Sequence, residues 1–318
     1  LARSIPSYLK DTTDFLCKLR GLPTLPPNSL LVTVDVESLY TNIPVDEGLR
    51  AMTAALESRN DKSPSSAALE TLARLVLTRK AFQFNDRYYT QVSGTAMGTK
   101  MAPNYAIIFM GEFEQTLLSR SPLKPVCWWR FIDDIFLVWP HGIEALKVFM
   151  DLAGKISPHI NLTFEYSGQS LPFLDVNVLL TSDGSICTDI YRKPTDTRQF
   201  LHFDSCHPTC HKVPISFSQA LRIKRICSDP AMAAERFREM KFDLVRRVYP
   251  RKAVAKKIDK VLKMDRDQLL TYKRSEPVKA DAIFFVCTYH PDLYSVDAIL
   301  KNIGIWSTIQ TLNSRSIG

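Results

Sequence analysis

The chain has 318 residues, of which 45% are hydrophobic and 23% charged, and it carries a formal net charge of +8. That is ordinary globular composition, which excludes a disordered chain, a collagen-like fibre and a disulfide-rich mini-protein; at about 150 residues per domain it suggests two folding units. No uncharged apolar run approaches the roughly 18 residues of a membrane span, and no basic-then-apolar leader opens the chain. The first residue is Leu1 rather than Met, which points to a piece of a longer protein. Seven cysteines, odd in number and scattered, read as reduced thiols of a cytosolic or nuclear protein. The positive charge is concentrated. Between Lys212 and Lys279 there are 19 basic and 8 acidic residues, an excess of +11, whereas the rest of the chain carries 22 and 25, or −3. Such a segment fits a polyanionic partner, or else a solvated helical face.

In chain order, residues 1–29 mix polar and apolar positions and end in the breakers Pro23, Pro26, Pro27 and Asn28. Leu30 to Val36 reads as a buried strand. Pro44 opens a helix with Leu49, Met52 and Leu56 on one face, and Ala67 to Leu77 reads as a second helix. Phe82 to Gln91 reads as a hairpin around Asn85-Asp86. Met101 to Leu118 is an apolar helix entered by a Gly-containing loop. Pro125 to Phe131 and Ile135 to Trp139 read as strands, with Asp133-Asp134 as the two-residue turn between them. A helix over Ile143 to Ile156 is followed by strands at Leu162 to Tyr166, Phe173 to Leu179 and Ile186 to Tyr191. Ser216 to Tyr272 is helical and basic, and a final αβ-like stretch holds Ile283 to Thr288 and Leu293 to Ile303. The boundary between a mixed α/β part and the helical part falls between Phe200 and Ser216.

Two adjacent carboxylates between strongly apolar strands need a proton, a basic group or a metal to offset their repulsion. If Asp35 ends the neighbouring strand, its carboxylate converges on those of Asp133 and Asp134. An oxygen cluster of this kind suits Mg²⁺ with substrate phosphates, and two such ions suit phosphoryl transfer. Asp133-Asp134 alone reads first as a polar turn; the order of strand-end Asp, Gly-containing helix entry and Asp-Asp hairpin is what points to chemistry.

That order resembles a reverse transcriptase, and more closely the enzymes of Penelope-like retroelements, relatives of telomerase reverse transcriptase. The residues that carry it are Asp35-Val36-Glu37-Ser38-Leu39-Tyr40-Thr41-Asn42-Ile43-Pro44, Gly94-Thr95-Ala96-Met97-Gly98-Thr99-Lys100-Met101-Ala102-Pro103 and Phe131-Ile132-Asp133-Asp134. Leu171-Pro172-Phe173-Leu174-Asp175-Val176, Tyr191-Arg192-Lys193-Pro194-Thr195, His207-Pro208 and the run from Ser218 to Ser228 add to it, so that the resemblance spans from about residue 6 to about residue 300.

The resemblance implies an α+β right-hand polymerase: an antiparallel palm sheet backed by helices, followed by a helical thumb. It divides the chain into a lead-in or finger remnant at 1–29, a palm with a finger-like insertion at 30–205, and a basic thumb with a C-terminal αβ segment at 206–318. Asp35, Asp133 and Asp134 match the metal-binding carboxylates, for two Mg²⁺ ions with Mn²⁺ as substitute; Asp134 has the weakest claim to direct ligation. Val36 would offer its backbone carbonyl, and Tyr40 matches the gate beneath the incoming sugar. Gly98, Thr99 and Pro103 belong to the loop and helix start that position nucleotide and template. Tyr191, Arg192 and Lys193 fall where a primer-grip hairpin is expected. The implied partners are an RNA template, a DNA primer, their RNA–DNA hybrid and dNTPs, with no membrane. Arg222, Lys224 and Arg225, together with Arg246, Arg247, Arg251, Lys252, Lys256 and Lys257, are expected to meet phosphates. Upstream finger segments are expected before Leu1, since Lys10, Lys18 and Arg20 are too loosely placed for the triphosphate. The GIY-YIG-type endonuclease of many such elements is not found before Gly318. A nuclear location follows from the family, with the cytoplasm as the alternative.

Two other clusters compete for attention. Cys206, His207, Cys210 and His211, joined by Cys227, have zinc-like spacing, although Pro208 disturbs a helix there and no second ligand pair follows. Lys155 and His159 precede a strand and either protonate a leaving pyrophosphate or lie on a helix end. A non-catalytic nucleic-acid-binding remnant and a zinc-stabilised adaptor are the readings from other classes.

Overall fold

The computed structural model describes residues 1–272, so the expected αβ stretch at 283–303 lies outside the described residues. The chain divides into two units: Leu1–Arg192 with Ile226–Asp229, and Lys193–Arg225 with the residues from Pro230 onward.

The first unit is built on a four-stranded antiparallel sheet in the order β4-β5-β1-β6, formed by β1 (Leu30–Val36), β4 (Cys127–Phe131), β5 (Asp134–Trp139) and β6 (Leu162–Ser167). Both faces are covered, which is why β5 reads as an unbroken apolar run rather than an alternating one. On one face Val32, Val34, Val36, Ile135, Leu137 and Trp139 join a core supplied by α3 (Val45–Glu57), α4 (Ser66–Thr78), α5 (Ala102–Arg120) and α6 (Gly142–Ile156). On the other face Phe15, from α1 (Thr12–Arg20), meets Trp129, Phe136 and Phe173 at centroid distances of 6.0, 5.0 and 4.8 Å. Each fully buried large side chain contributes about 1.5–3 kcal/mol.

Helix α1 was not visible in the residue pattern. It is short, capped by Asp11 Oδ1 accepting from the Asp14 N–H, and it buries only Phe15, Leu16 and Leu19. Ahead of it, residues 7–9 run along the outer edge of β4: the Leu9 N–H donates to the Arg130 carbonyl, and the Arg130 N–H to that of Ser7. Between β1 and α5 lie a single turn, α2 (Leu39–Asn42), and an antiparallel ribbon of β2 (Ala81–Phe84) and β3 (Arg87–Thr90).

The expected strand Phe173 to Leu179 is corrected. It is a hairpin of β7 (Ser170–Phe173) and β8 (Val176–Leu180), turned at Leu174-Asp175 and extended to a three-stranded sheet by β9 (Ile186–Ile190). Leu174 takes a left-handed φ of 53°, a conformation that an apolar residue does not advertise in sequence.

The second unit is helical: α7 (Thr209–Ile226, its last residue in the first unit), α8 (Pro230–Arg246), α9 (Arg251–Leu262) and the short α10 (Arg266–Leu269). The expected helical stretch from Ser216 thus begins earlier, directly after Pro208. Among the described residues no helix is long and apolar enough to cross a membrane.

Candidate active site

Strand β1 is central, flanked by β5 and β6, and its buried positions are interrupted at Asp35. The register pairs Asp35 with Asp134, and Phe131 with Asp134. The turn between β4 and β5 is therefore Ile132-Asp133, not Asp133-Asp134. Ile132 adopts a left-handed φ of 57°, an outlier for a β-branched side chain. It is held there by Arg130, whose Nη1 donates to the Ile132 carbonyl at 3.0 Å.

Arg130 is itself fully buried. Its Nε donates to Glu114 Oε1 on α5 at 2.6 Å, and Nη2 donates to the Ile107 carbonyl at 3.1 Å. Glu114 also accepts from Trp128 Nε1 and the Ser7 hydroxyl. This buried ion pair anchors the acidic turn, and periodicity gave no sign of it.

The turn brings Asp133 against the end of β1, where its carbonyl accepts from the Val36 N–H at 3.2 Å. The Asp35 carboxyl is raised above its ordinary range by burial, then by the negative charge of Asp133, then by Glu37. The Tyr40 phenol is raised by burial and by Asp133. Asp35, Asp133 and Tyr40 thus share one electrostatic neighbourhood.

Asp134 belongs to the ladder, beside Asp35 on the sheet face opposite the helices. The two line a cleft of about 320 Å³ with Thr33, Thr163, Glu165 and the β7–β8 turn. Among the described residues no group of three or more His, Cys, Asp and Glu side chains is disposed to hold an ion. The negative charge of Asp133 bears on the Asp35 carboxyl, and Asp134 lies beside Asp35 on the ladder. Like charges at close quarters still call for a cation, and Mg²⁺ takes one or two carboxylates with substrate phosphates rather than an all-protein cage. The donor set fits.

Tyr40 lies half-buried in α2, after Ser38 in a left-handed φ of 51°. Its carbonyl accepts from the Thr95 N–H at 2.6 Å. Gly94 makes this close approach possible. With φ at +68°, a Cβ there would lie 2.5 Å from the Thr41 Cα and carbonyl oxygen. Gly98 also has a positive φ, +90°, but faces open space, so backbone conformation and not crowding requires glycine there. The Thr99 carbonyl accepts from the Ala102 N–H, and Pro103 sits in the first turn of α5.

Other expected site residues fall differently. Tyr191, Arg192 and Lys193 follow β9 in irregular backbone and are not in a hairpin; the Tyr191 N–H donates to the Asp175 carbonyl. Arg222, Lys224 and Arg225 are half-buried on α7, whereas α9 exposes Arg251, Lys252, Lys256 and Lys260. Cys206, His207, Cys210 and His211 form no metal cluster among the described residues, and Cys227 is buried against Asp189. His159 lies 3.9 Å from Glu47 Oε1. Lys18 donates to the Tyr8 carbonyl and lies over the Trp129 ring.

No curated protein matches the sequence. Among solved structures, the fold is similar to telomerase from Candida albicans in complex with a TWJ fragment of telomeric RNA: TM-score 0.57, 12% identity, covering 81% of this chain and 49% of that one. It is also similar to an insertion-loop deletion mutant of the RNA-dependent RNA polymerase of a human picorbirnavirus, with TM-score 0.51, 9% identity and coverage of 96% and 52%. The chain spans about half the length of these structures. The architecture is a mixed α+β polymerase palm with a helical C-terminal region. Residues 199–259 match the profile of an animal helix-turn-helix domain. Residues 5–163, half of the chain, match the profile described as reverse transcriptase (RNA-dependent DNA polymerase), a stretch that takes in β1, the glycine loop and the acidic turn. On that match the chain belongs to the reverse transcriptase family.

Proposed function

We propose that the chain extends a DNA primer on an RNA template, as the palm and thumb of a Penelope-like retroelement polymerase. One observation carries the reading: the β4–β5 turn sets Asp133 against the end of the central strand, its carbonyl accepting from the Val36 N–H, where its charge bears on both Asp35 and Tyr40. Asp35, Asp133 and the Val36 carbonyl would hold Mg²⁺, with Asp134 completing the acid set from the ladder. Bound divalent ions would lower the pKa of the primer 3′-hydroxyl and offset charge developing on the α-phosphate and the leaving pyrophosphate. Tyr40 would lie under the sugar and exclude a 2′-hydroxyl, its backbone fixed by Thr95. Gly98, Thr99 and Pro103 shape the entry to α5 beside the nucleotide. Tyr191, Arg192 and Lys193 would lie along the primer, and the basic helices along the hybrid backbone, which is read by shape. The division at 1–29, 30–205 and 206–318 and a nuclear location belong to the same reading.

Primer extension on an RNA template with Mg²⁺ and dNTPs tests it, with Asp133→Ala as the comparison. The expected result is extension by the parent and a loss of about a thousandfold in the variant, the upper end for removal of one electrostatic stabiliser. Equal extension by both proteins would overturn the assignment of Asp133. Hybrid binding without extension by either would identify the non-catalytic remnant.

A further inference from the structure

We propose that the β2–β3 ribbon is a stacking platform for the unpaired bases of a single-stranded nucleic acid. All ten residues from Ala81 to Thr90 are exposed. The register places Phe82 opposite Tyr89 and Phe84 opposite Arg87, so these four side chains share one face. Phe82, Phe84 and Tyr89 are 52%, 69% and 42% exposed. The Phe82 and Tyr89 rings are nearly parallel, 21° apart with centroids at 5.6 Å.

An isolated two-stranded ribbon is marginal in water, and a concentrated exposed apolar face marks an interaction site. The chemistry of the face selects the occupant. Flat rings beside a planar guanidinium are the elements on which nucleobases stack. From Arg79 to Lys100 there are four basic residues and one acid, Asp86, a balance that complements a polyanion.

The root of the ribbon also ties it to the candidate site. The Gln91 N–H donates to the Lys80 carbonyl. The Lys80 ammonium donates to Thr95 Oγ1 at 3.1 Å. Thr95 in turn holds the Tyr40 carbonyl. A strand stacked on the ribbon is therefore presented close to the Tyr40 turn. In the polymerase reading, on which only the source of the strand rests, it is template not yet copied.

The test is fluorescence anisotropy of a labelled twelve-residue oligouridylate with the full chain. Two variants are compared with the parent: the double substitution Phe84→Ala with Tyr89→Ala, and the single Phe84→Trp. The expected result is a loss of about tenfold or more in the double variant with an unchanged salt slope, because stacking is removed while phosphate neutralisation is kept. Phe84→Trp should bind as the parent does, and an abasic oligomer should bind the parent as weakly as oligouridylate binds the double variant. Parent-like affinity in the double variant would overturn the inference. So would self-association of the parent that the double variant abolishes with RNA affinity unchanged, which would make the face a protein interface. Loss of RNA affinity in the double variant, in a parent that does not extend primers, would leave the inference standing while the polymerase reading fails.

Discussion

Asp35 occupies the one open position of an otherwise buried strand end, and its surroundings make its charge costly. Its folded-state pKa lies above the unfolded value through burial, Asp133 and Glu37. Protonation therefore favours the fold: the stabilising contribution is fully present below the unfolded pKa and is lost as pH rises through the raised folded pKa. Asp35→Asn should melt at a higher temperature than the parent at pH 7, and the difference should shrink on acidification to about pH 4. Mg²⁺ should raise the melting temperature of the parent but not of the variant, since only a site that binds in the folded state is stabilised by ligand. A Tm gap that stays constant with pH would remove the argument. The pairing of a strand-end Asp with a later Asp-Asp was legible in the residues, because charges amid apolar runs stand out. Which of the two lies in the turn was not, since the left-handed residue is Ile132, and isoleucine carries no turn signal.

At the scale of elements, the acidic turn depends on an ion pair between α5 and β4. Arg130 and Glu114 are both buried, and the arginine also satisfies the carbonyls of Ile107 and Ile132. Removing one member leaves an uncompensated charge, so Glu114→Gln or Arg130→Met should cost about 3–5 kcal/mol in urea denaturation. The double substitution Glu114→Gln with Arg130→Met should cost less than the two single effects added together, the coupling being read from the cycle. Strict additivity would mean that the pair is not a unit. Strands β1, β4 and β5 were legible because apolar, β-branched and aromatic runs are long there, and β6 because large and polar residues alternate along it. Local periodicity does not reveal which helix lies against Arg130, sixteen residues from its partner. Nor does it separate β7 from β8, whose turn is made by Leu174.

Across the whole molecule, charge is divided as the composition indicates, but its availability is not. The α9 face with Arg251, Lys252, Lys256 and Lys260 is exposed, whereas Arg222, Lys224 and Arg225 are half-buried, a distinction set by tertiary packing. Substituting the four α9 residues by Ala should weaken hybrid binding and lower the slope of log affinity against log salt by up to about 0.9 for each phosphate left without its cation. Arg222→Ala should change that slope less. An unaltered slope in the fourfold variant would move the phosphate-binding surface elsewhere. The segment at residues 7–9 bears on the sheet as a whole. By pairing with Arg130 it occupies the hydrogen-bonding edge of β4, beside Trp128 and Trp129. A catalytic fragment trimmed to begin at α1 would bare that edge as a template for β-aggregation. Solubility, and not only fold, sets where the domain can be cut.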